Sequence, residues 1–346
     1  LMLAAGIIAH HQKLSALLAV GILLLPATQY PATTWWSKPD LDREYVLSLD
    51  VEHYFGNIQK MRKHLETDRQ ILWVTYYRNL YNATHPSEIN SPVSLSRNLL
   101  AWNQPGTNGL ILPVNPSASF LSILFANELW FTLGDMTMAE HCAMLSMIFS
   151  PRNSGSRMIK RLAEINLVNG DDEAALKYLR ILDKTLLHKS WAEKRIPGQQ
   201  TPQVKEWLEK KRRDIPTQDQ LRSGNDAVTS LQNLVASNAG NLRAYEYLLC
   251  YHLLSKDLRS FVEDYVPGKV SSPIFAEALL IHLARQGNIR AEELIKYQIP
   301  VEIAKEFADY TRLYEAKDTS LKEKYGKTYW FYYHFATTEP GKESKP

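Results

Sequence analysis

The sequence predicts an all-α protein built from stacked helical hairpins behind an apolar opening, and three observations carry that expectation. From Asp40 onward apolar residues recur in helix-length patterns. These patterns are separated by two-residue breaks of glycine followed by Asp or Asn, at Gly56-Asn57, Gly134-Asp135, Gly170-Asp171 and Gly287-Asn288, with Lys256-Asp257 as a variant. Residues 1–36 are almost continuously apolar. The breaks have a shared physical logic: glycine enters the left-handed conformation that ends one helix without a Cβ penalty. The following Asp or Asn then accepts hydrogen bonds from the free N–H groups that open the next.

Bulk properties bound the answer. A chain of 346 residues is long enough for two or three domains or one extended array. A net charge of +3 argues against a nucleic-acid footprint spread over the whole surface, so no specific nucleic acid is expected as partner, while a local basic patch stays open. Only Cys142 and Cys250 are present, both inside apolar helical patterns, which excludes a disulfide framework or a four-cysteine zinc site.

In the opening, Leu1 to Ala9 and Leu14 to Ala27 are apolar runs around His10, His11, Gln12 and Lys13, and they read as one or two membrane segments. The second reaches the length of a spanning helix only when Thr28 to Thr34 is included, and Trp35-Trp36 suits an interfacial belt. Two other readings stay open: a secretory signal cleaved near Ala27 or Ala32, and a buried helix. The Leu-Met start reads as the tail of a longer protein. Lys13 lies on one side of the second run and Lys38 and Arg43 on the other, so the basic residues leave the membrane side open.

The best hairpins are Ser117 to Ser150 and Ser154 to Leu187, whose turn glycines, Gly134 and Gly170, lie 36 residues apart. Around the first, Trp130, Gly134, Ala139 and Pro151 stand in the order aromatic, glycine, alanine, closing proline; the second matches at Ala163, Gly170 and Ala175 but has Leu187 in place of the proline. These hairpins resemble tetratricopeptide repeats, whose period is about 34 residues. The resemblance implies a right-handed α-α superhelix with degenerate units, the later ones at Asn241 to Tyr265 and Ser272 to Ile299 being looser. The layout, with the phrases Lys160-Arg161-Leu162-Ala163-Glu164-Ile165-Asn166 and Thr328-Tyr329-Trp330-Phe331-Tyr332-Tyr333, also resembles a family of Bacteroidales membrane proteins. That resemblance implies a multi-pass half outside this sequence, and it brings no activity; the expected location is a bacterial inner membrane with the repeat domain periplasmic, the side itself staying open.

The expected organisation is therefore membrane segments over 1–36, hairpins over 37–195, a charged hinge over 196–224, further hairpins with an aromatic cap over 225–336, and a disordered tail over 337–346. The cap is expected because Tyr329, Trp330, Phe331, Tyr332, Tyr333 and Phe335 are too aromatic to remain in water.

No catalytic residues, metal site or cofactor are expected. Met138, Glu140, His141, Cys142, Met144 and Met147 put soft ligands at helical spacing, but methionine and cysteine there suit a packed groove better than a metal. Ser154-Gly155-Ser156 lacks a preceding strand and reads as a cap. From Lys184 to Arg213 nine Lys or Arg stand against three Glu, the strongest charge anomaly. Lys205, Lys210, Lys211, Arg212 and Arg213 form a basic patch whose default role is a solvated face, with anionic lipid or an acidic partner as alternatives. Trp191 and Trp207 are interleaved with it. The expected function is a membrane-anchored scaffold holding a protein or peptide in its groove, at Asn127, Trp130, Asn166, Tyr245 and Leu283 on the first helices. The rival is an accessory repeat domain of a multi-pass membrane enzyme such as a glycosyltransferase.

Overall fold

The computed structural model describes residues 40–66, 71–84, 107–114, 119–150, 155–217 and 226–336. Among these the regular elements are all helical and there is no strand. The membrane segments expected over 1–36 and the tail over 337–346 lie outside the described residues. Among the described residues no helix is long and apolar enough to cross a membrane. The chain divides into two compact units between Ile58 and Gln59.

The first unit contains α1, Leu41–Tyr54. Its start is fixed by the Asp40 carboxylate, which accepts from the Arg43 N–H at 3.0 Å, and Val46 and Leu49 form its buried face.

At the boundary begins α2, Ile58–Leu65, and the second unit continues with α3, Leu72–Thr84. Tyr76 and Tyr77 of α3 are fully buried, and the Tyr76 hydroxyl donates to the Phe125 carbonyl at 2.6 Å. Asn79 holds a single 3-10 turn, Thr107–Gly109, by donating to the Gly109 carbonyl at 2.8 Å.

The two central hairpins follow the break logic closely. In the first, α4 (Phe120–Leu133) ends at Gly134 with φ +90°, and Asp135 opens α5 (Met136–Phe149) by accepting from the Met138 N–H at 2.9 Å. In the second, α6 (Ser156–Asn169) ends at Gly170 with φ +81°, and Asp171 opens α7 (Asp172–Asp183) by accepting from the Ala174 N–H at 2.9 Å. The hairpins are joined by Ala143 of α5 packed with Met158 and Leu162 of α6, flanked by Leu124, Met147 and Tyr178. The small side chain at 143 lets the helices approach.

Next come α8 (Lys189–Glu193) and α9 (Pro202–Arg212). Within the stretch expected as a hinge, α9 is packed by Val204 and Leu208 and in contact with α6. The remainder pairs α10 (Ala227–Ser237) with α11 (Leu242–Leu254), then α12 (Leu258–Asp264), α13 (Pro273–Arg285), α14 (Ala291–Lys296), α15 (Val301–Glu315), α16 (Leu321–Tyr325) and α17 (Tyr329–Phe335). At the glycine-less break Lys256 takes φ +59° in the place glycine holds elsewhere, and Asp257 caps α12 through the Ser260 N–H at 3.0 Å. After Gly287 the next helix starts late: the Asn288 N–H closes the preceding helix on the Leu283 carbonyl as Asp135 and Asp171 do on theirs, but the cap position falls to Arg290, which makes no side-chain cap bond.

The aromatic segment α17 folds back on α13 and α11. Trp330 is fully buried, its indole N–H donating to the Glu277 carbonyl at 2.9 Å, while the Glu277 carboxylate accepts the Tyr329 N–H at 2.6 Å. Tyr329 and Tyr332 donate their hydroxyls to the carbonyls of Leu253 and Leu254, each at 2.8 Å. Replacing Trp330 with Ala removes a large packed ring and one of these bonds, and should cost about 3–5 kcal/mol of unfolding free energy in a denaturant titration of the whole chain. A loss below about 1 kcal/mol would show that α17 is not part of the cooperative fold.

Candidate binding site

The site is built where α4 and α6, the first helices of the two central hairpins, end. The last carbonyls of a helix lack intrahelical donors and carry the negative end of its dipole. Here the donors come from the segments that follow. Arg212, at the end of α9, donates from Nε to the Val168 carbonyl at 2.9 Å and from Nη2 to the Leu167 carbonyl at 2.7 Å. Lys211 Nζ lies 3.5 Å from the Phe131 carbonyl. From the start of α11, Asn241 bridges the carbonyls of Leu133 and Asp214, each at 2.8 Å, and Arg243 donates to the Thr132 carbonyl at 3.0 Å. The chain passes so close here that a Cβ on Gly134 would lie 2.2 Å from the Asp214 carbonyl oxygen.

One turn back along the same helices lies a balanced ionic cluster. Buried Glu128 of α4 accepts from Arg157 at 2.9 Å and from Arg161 at 2.5 Å, and Arg161 also bonds Glu164 at 2.8 Å. Arg161 Nε donates to Asn127 Oδ1 at 2.8 Å, and Asn127 Nδ2 donates to the Ala139 carbonyl at 2.7 Å. These bonds tie α4, α5 and α6 together with two carboxylates facing two guanidiniums.

Beside this cluster runs a ladder of rings and cations. The Arg161 guanidinium lies 3.9 Å and Lys211 Nζ 4.6 Å from the centre of the buried Phe131 ring. Phe131 stacks on Trp207 with centroids 6.3 Å apart. The Arg195 guanidinium lies 5.9 Å from Trp207 and 4.2 Å from Trp191, and Lys160 Nζ is 5.2 Å from the Trp191 ring. Such contacts favour a cation without neutralising it. Burial, aided by the nearby charges of Arg161 and Arg243, pushes the Lys211 ammonium down to about 8; burial also lowers Lys160 and Arg195.

The residues expected to line an open groove are placed otherwise. Asn127, Trp130, Tyr245 and Leu283 are buried, so they hold helices together rather than face a ligand. The physical reason shows at Asn127, which α5 and α6 enclose, Ala139 accepting from it and Arg161 donating to it, and at Tyr245, whose hydroxyl is taken by the Asp264 carbonyl at the end of α12. Trp130 borders a cavity of about 230 Å³ together with Leu112, Val114, Met138 and Tyr251, its indole N–H without a hydrogen-bond partner among the described residues. Asn166 is half-buried and donates to the Leu162 carbonyl of its own helix at 2.7 Å. The basic patch is split by what its members touch: Lys205, Lys210, Arg212 and Arg213 are exposed and Lys211 is half-buried, and of the five Lys211 and Arg212 reach the carbonyls of the hairpin ends. Cys142 is buried with its thiol pushed up to about 12 by that burial, and among the described residues no three His, Cys, Asp or Glu converge on a metal position.

Sequence reasoning missed Glu128, Arg157 and Arg195 as site residues. The Arg157/Arg161 and Trp191/Arg195 pairs, each at the i,i+4 spacing that puts two side chains on one helix face, were the available signal.

Compared with known protein families, residues 4–336 match a family of unknown function, DUF6057. The chain belongs to this family. No curated protein and no solved structure matches it significantly. For this DUF6057 chain the ring and cation ladder is therefore read from its own geometry.

Two outcomes test that geometry. Gly134→Ala should destabilise far more than Gly170→Ala. Both have positive φ, which alone costs about 1 kcal/mol, but only the first drives a Cβ into backbone, the nearest atom at Gly170 being 4.0 Å away on a flexible arginine. Equal shifts in melting temperature would mean that the Asp214 contact is not formed. The second concerns pH. The folded Lys211 pKa, about 8, lies below the ordinary lysine value, so the unfolded chain binds the extra proton between the two. Stability attributable to this residue should therefore rise as pH goes from about 8 to about 10. Melting curves of the native chain and Lys211→Met across that range should converge or cross in that sense, and parallel curves would contradict the burial of the ammonium.

Proposed function

We propose that this DUF6057 chain is a helical interaction module, tetratricopeptide-like in its two central hairpins, anchored to a bacterial inner membrane by residues 1–36 with the hairpins on the periplasmic side. The observation that supports the recognition half is the ladder of half-buried cations and aromatic rings where α4, α6, α8 and α9 meet. It offers charge and flat apolar area, the ingredients of recognition, and pairs no nucleophile with a base. The anchor half is supported by the apolar composition of residues 1–36 and by Trp35-Trp36.

One preparation tests both halves. The full chain should sediment with membranes and require detergent, and removal of residues 1–36 should release it. Affinity capture of the full chain, followed by rebinding of the purified partner, should yield a stoichiometric complex. A chain that stays soluble with its opening residues intact defeats the anchor, and capture of nothing that rebinds in purified form defeats the module.

A further inference from the structure

We propose that Arg195, beside Trp207, and Lys211, one helical turn further along α9, form a receptor for carboxylates of an acidic peptide segment; this names the partner chemistry of the interaction module and rests on that reading. The argument begins with the charges. Arg157 and Arg161 are matched by Glu128 and Glu164, Arg212 is committed to two carbonyls, and Arg243 is shared between the Thr132 carbonyl and Asp214. Arg195 and Lys211 make no ion pair among the described residues; what they touch are rings and one carbonyl each, those of Trp191 and Phe131.

Both cations are half-buried, and Arg195 Nε is enclosed without an acceptor. For a desolvated cation over an aromatic face, a carboxylate is the group that completes it through charge-assisted hydrogen bonds. The planar edge of Arg195, fixed between Trp191 and Trp207, matches the plane of a carboxylate, and the two indoles add apolar area for the neighbouring peptide atoms. The peptide source follows from the interaction reading, since an extended chain spreads several carboxylates along the ladder.

The test is fluorescence anisotropy of the purified full chain with a labelled hexaglutamate peptide, its hexaglutamine counterpart, a single-stranded DNA oligomer and inorganic phosphate as competitor. The glutamate peptide should bind and the glutamine peptide should be weaker by about tenfold or more. Arg195→Gln and Lys211→Met should each weaken the glutamate peptide by about tenfold, while Lys205→Gln, which removes the same charge from the exposed face of α9, should leave it unchanged. Should Lys211→Met disturb the fold by circular dichroism, Arg195→Gln and Trp191→Leu carry the test. Equal weakening by Lys205→Gln, equal binding of the glutamine peptide, or tighter Arg195-dependent binding of DNA or phosphate would each overturn the proposal. A purified partner that binds Arg195→Gln as well as the native chain would overturn the receptor while leaving the module standing. Absence of any rebinding partner would defeat the module alone.

Discussion

Two hairpins stacked in the same sense bring the ends of α4 and α6 side by side, and with them two rows of unsatisfied carbonyls, each worth roughly half a negative charge. That juxtaposition is the constraint on which the centre of the molecule depends. It is met by Lys211 and Arg212 at the end of α9 and by Asn241 and Arg243 at the start of α11. A cation at a helix end contributes about 0.3–1 kcal/mol on the surface and up to about 2 when partly buried, so the three cations among these donors together contribute about 1–6 kcal/mol. The basic run that stands out in the sequence is thus, in part, the complement of two helix dipoles.

The far end of the second unit solves the same problem with neutral donors. There the carbonyls of Leu253 and Leu254, at the end of α11, are satisfied by the hydroxyls of Tyr329 and Tyr332. Tyrosine brings a ring to bury along with its donor, which suits a position where the last helices must also cover an apolar face. At the centre, by contrast, Lys211 and Arg212 arrive on a short helix whose own buried residues are few, Val204 and Leu208, so that on α9 charge supplies what apolar area does not.

What was legible in the sequence was local. The glycine-then-aspartate breaks state a helix end and a helix start within two adjacent residues, and at 134–135 and 170–171 both readings hold to the atom. The late start of α14 shows the limit: at Gly287-Asn288 the same signal ends a helix but does not begin the next, whose cap position is Arg290 without a side-chain cap bond. The site was not legible, since its rings and charges come from four elements. Phe131 and Trp207 stack, and Arg243 reaches Thr132, across separations that no local pattern encodes. Expecting open-groove residues on the first helices failed for a related reason. Periodicity says which face of a helix is apolar, not whether a later segment returns to cover the rest.

The cations of this region differ in what they have been given, and the difference separates structure from recognition. Arg157 and Arg161 hold carboxylates, and Arg212 holds carbonyls that would otherwise be orphaned; removing either kind leaves a buried group without its partner. Arg195 and Lys211 hold mainly rings. A cation–π contact contributes about 0.5–2 kcal/mol, whereas withdrawing a charge from water costs several kcal/mol even after relaxation. For folding alone, an apolar side chain of similar length would serve better at Arg195. Its fixed planar group acquires a physical purpose when an anion enters from outside and completes the ladder, as Glu128 and Glu164 already complete the cluster beside it, and Lys211 adds to its part at the end of α4 a second charge for that anion.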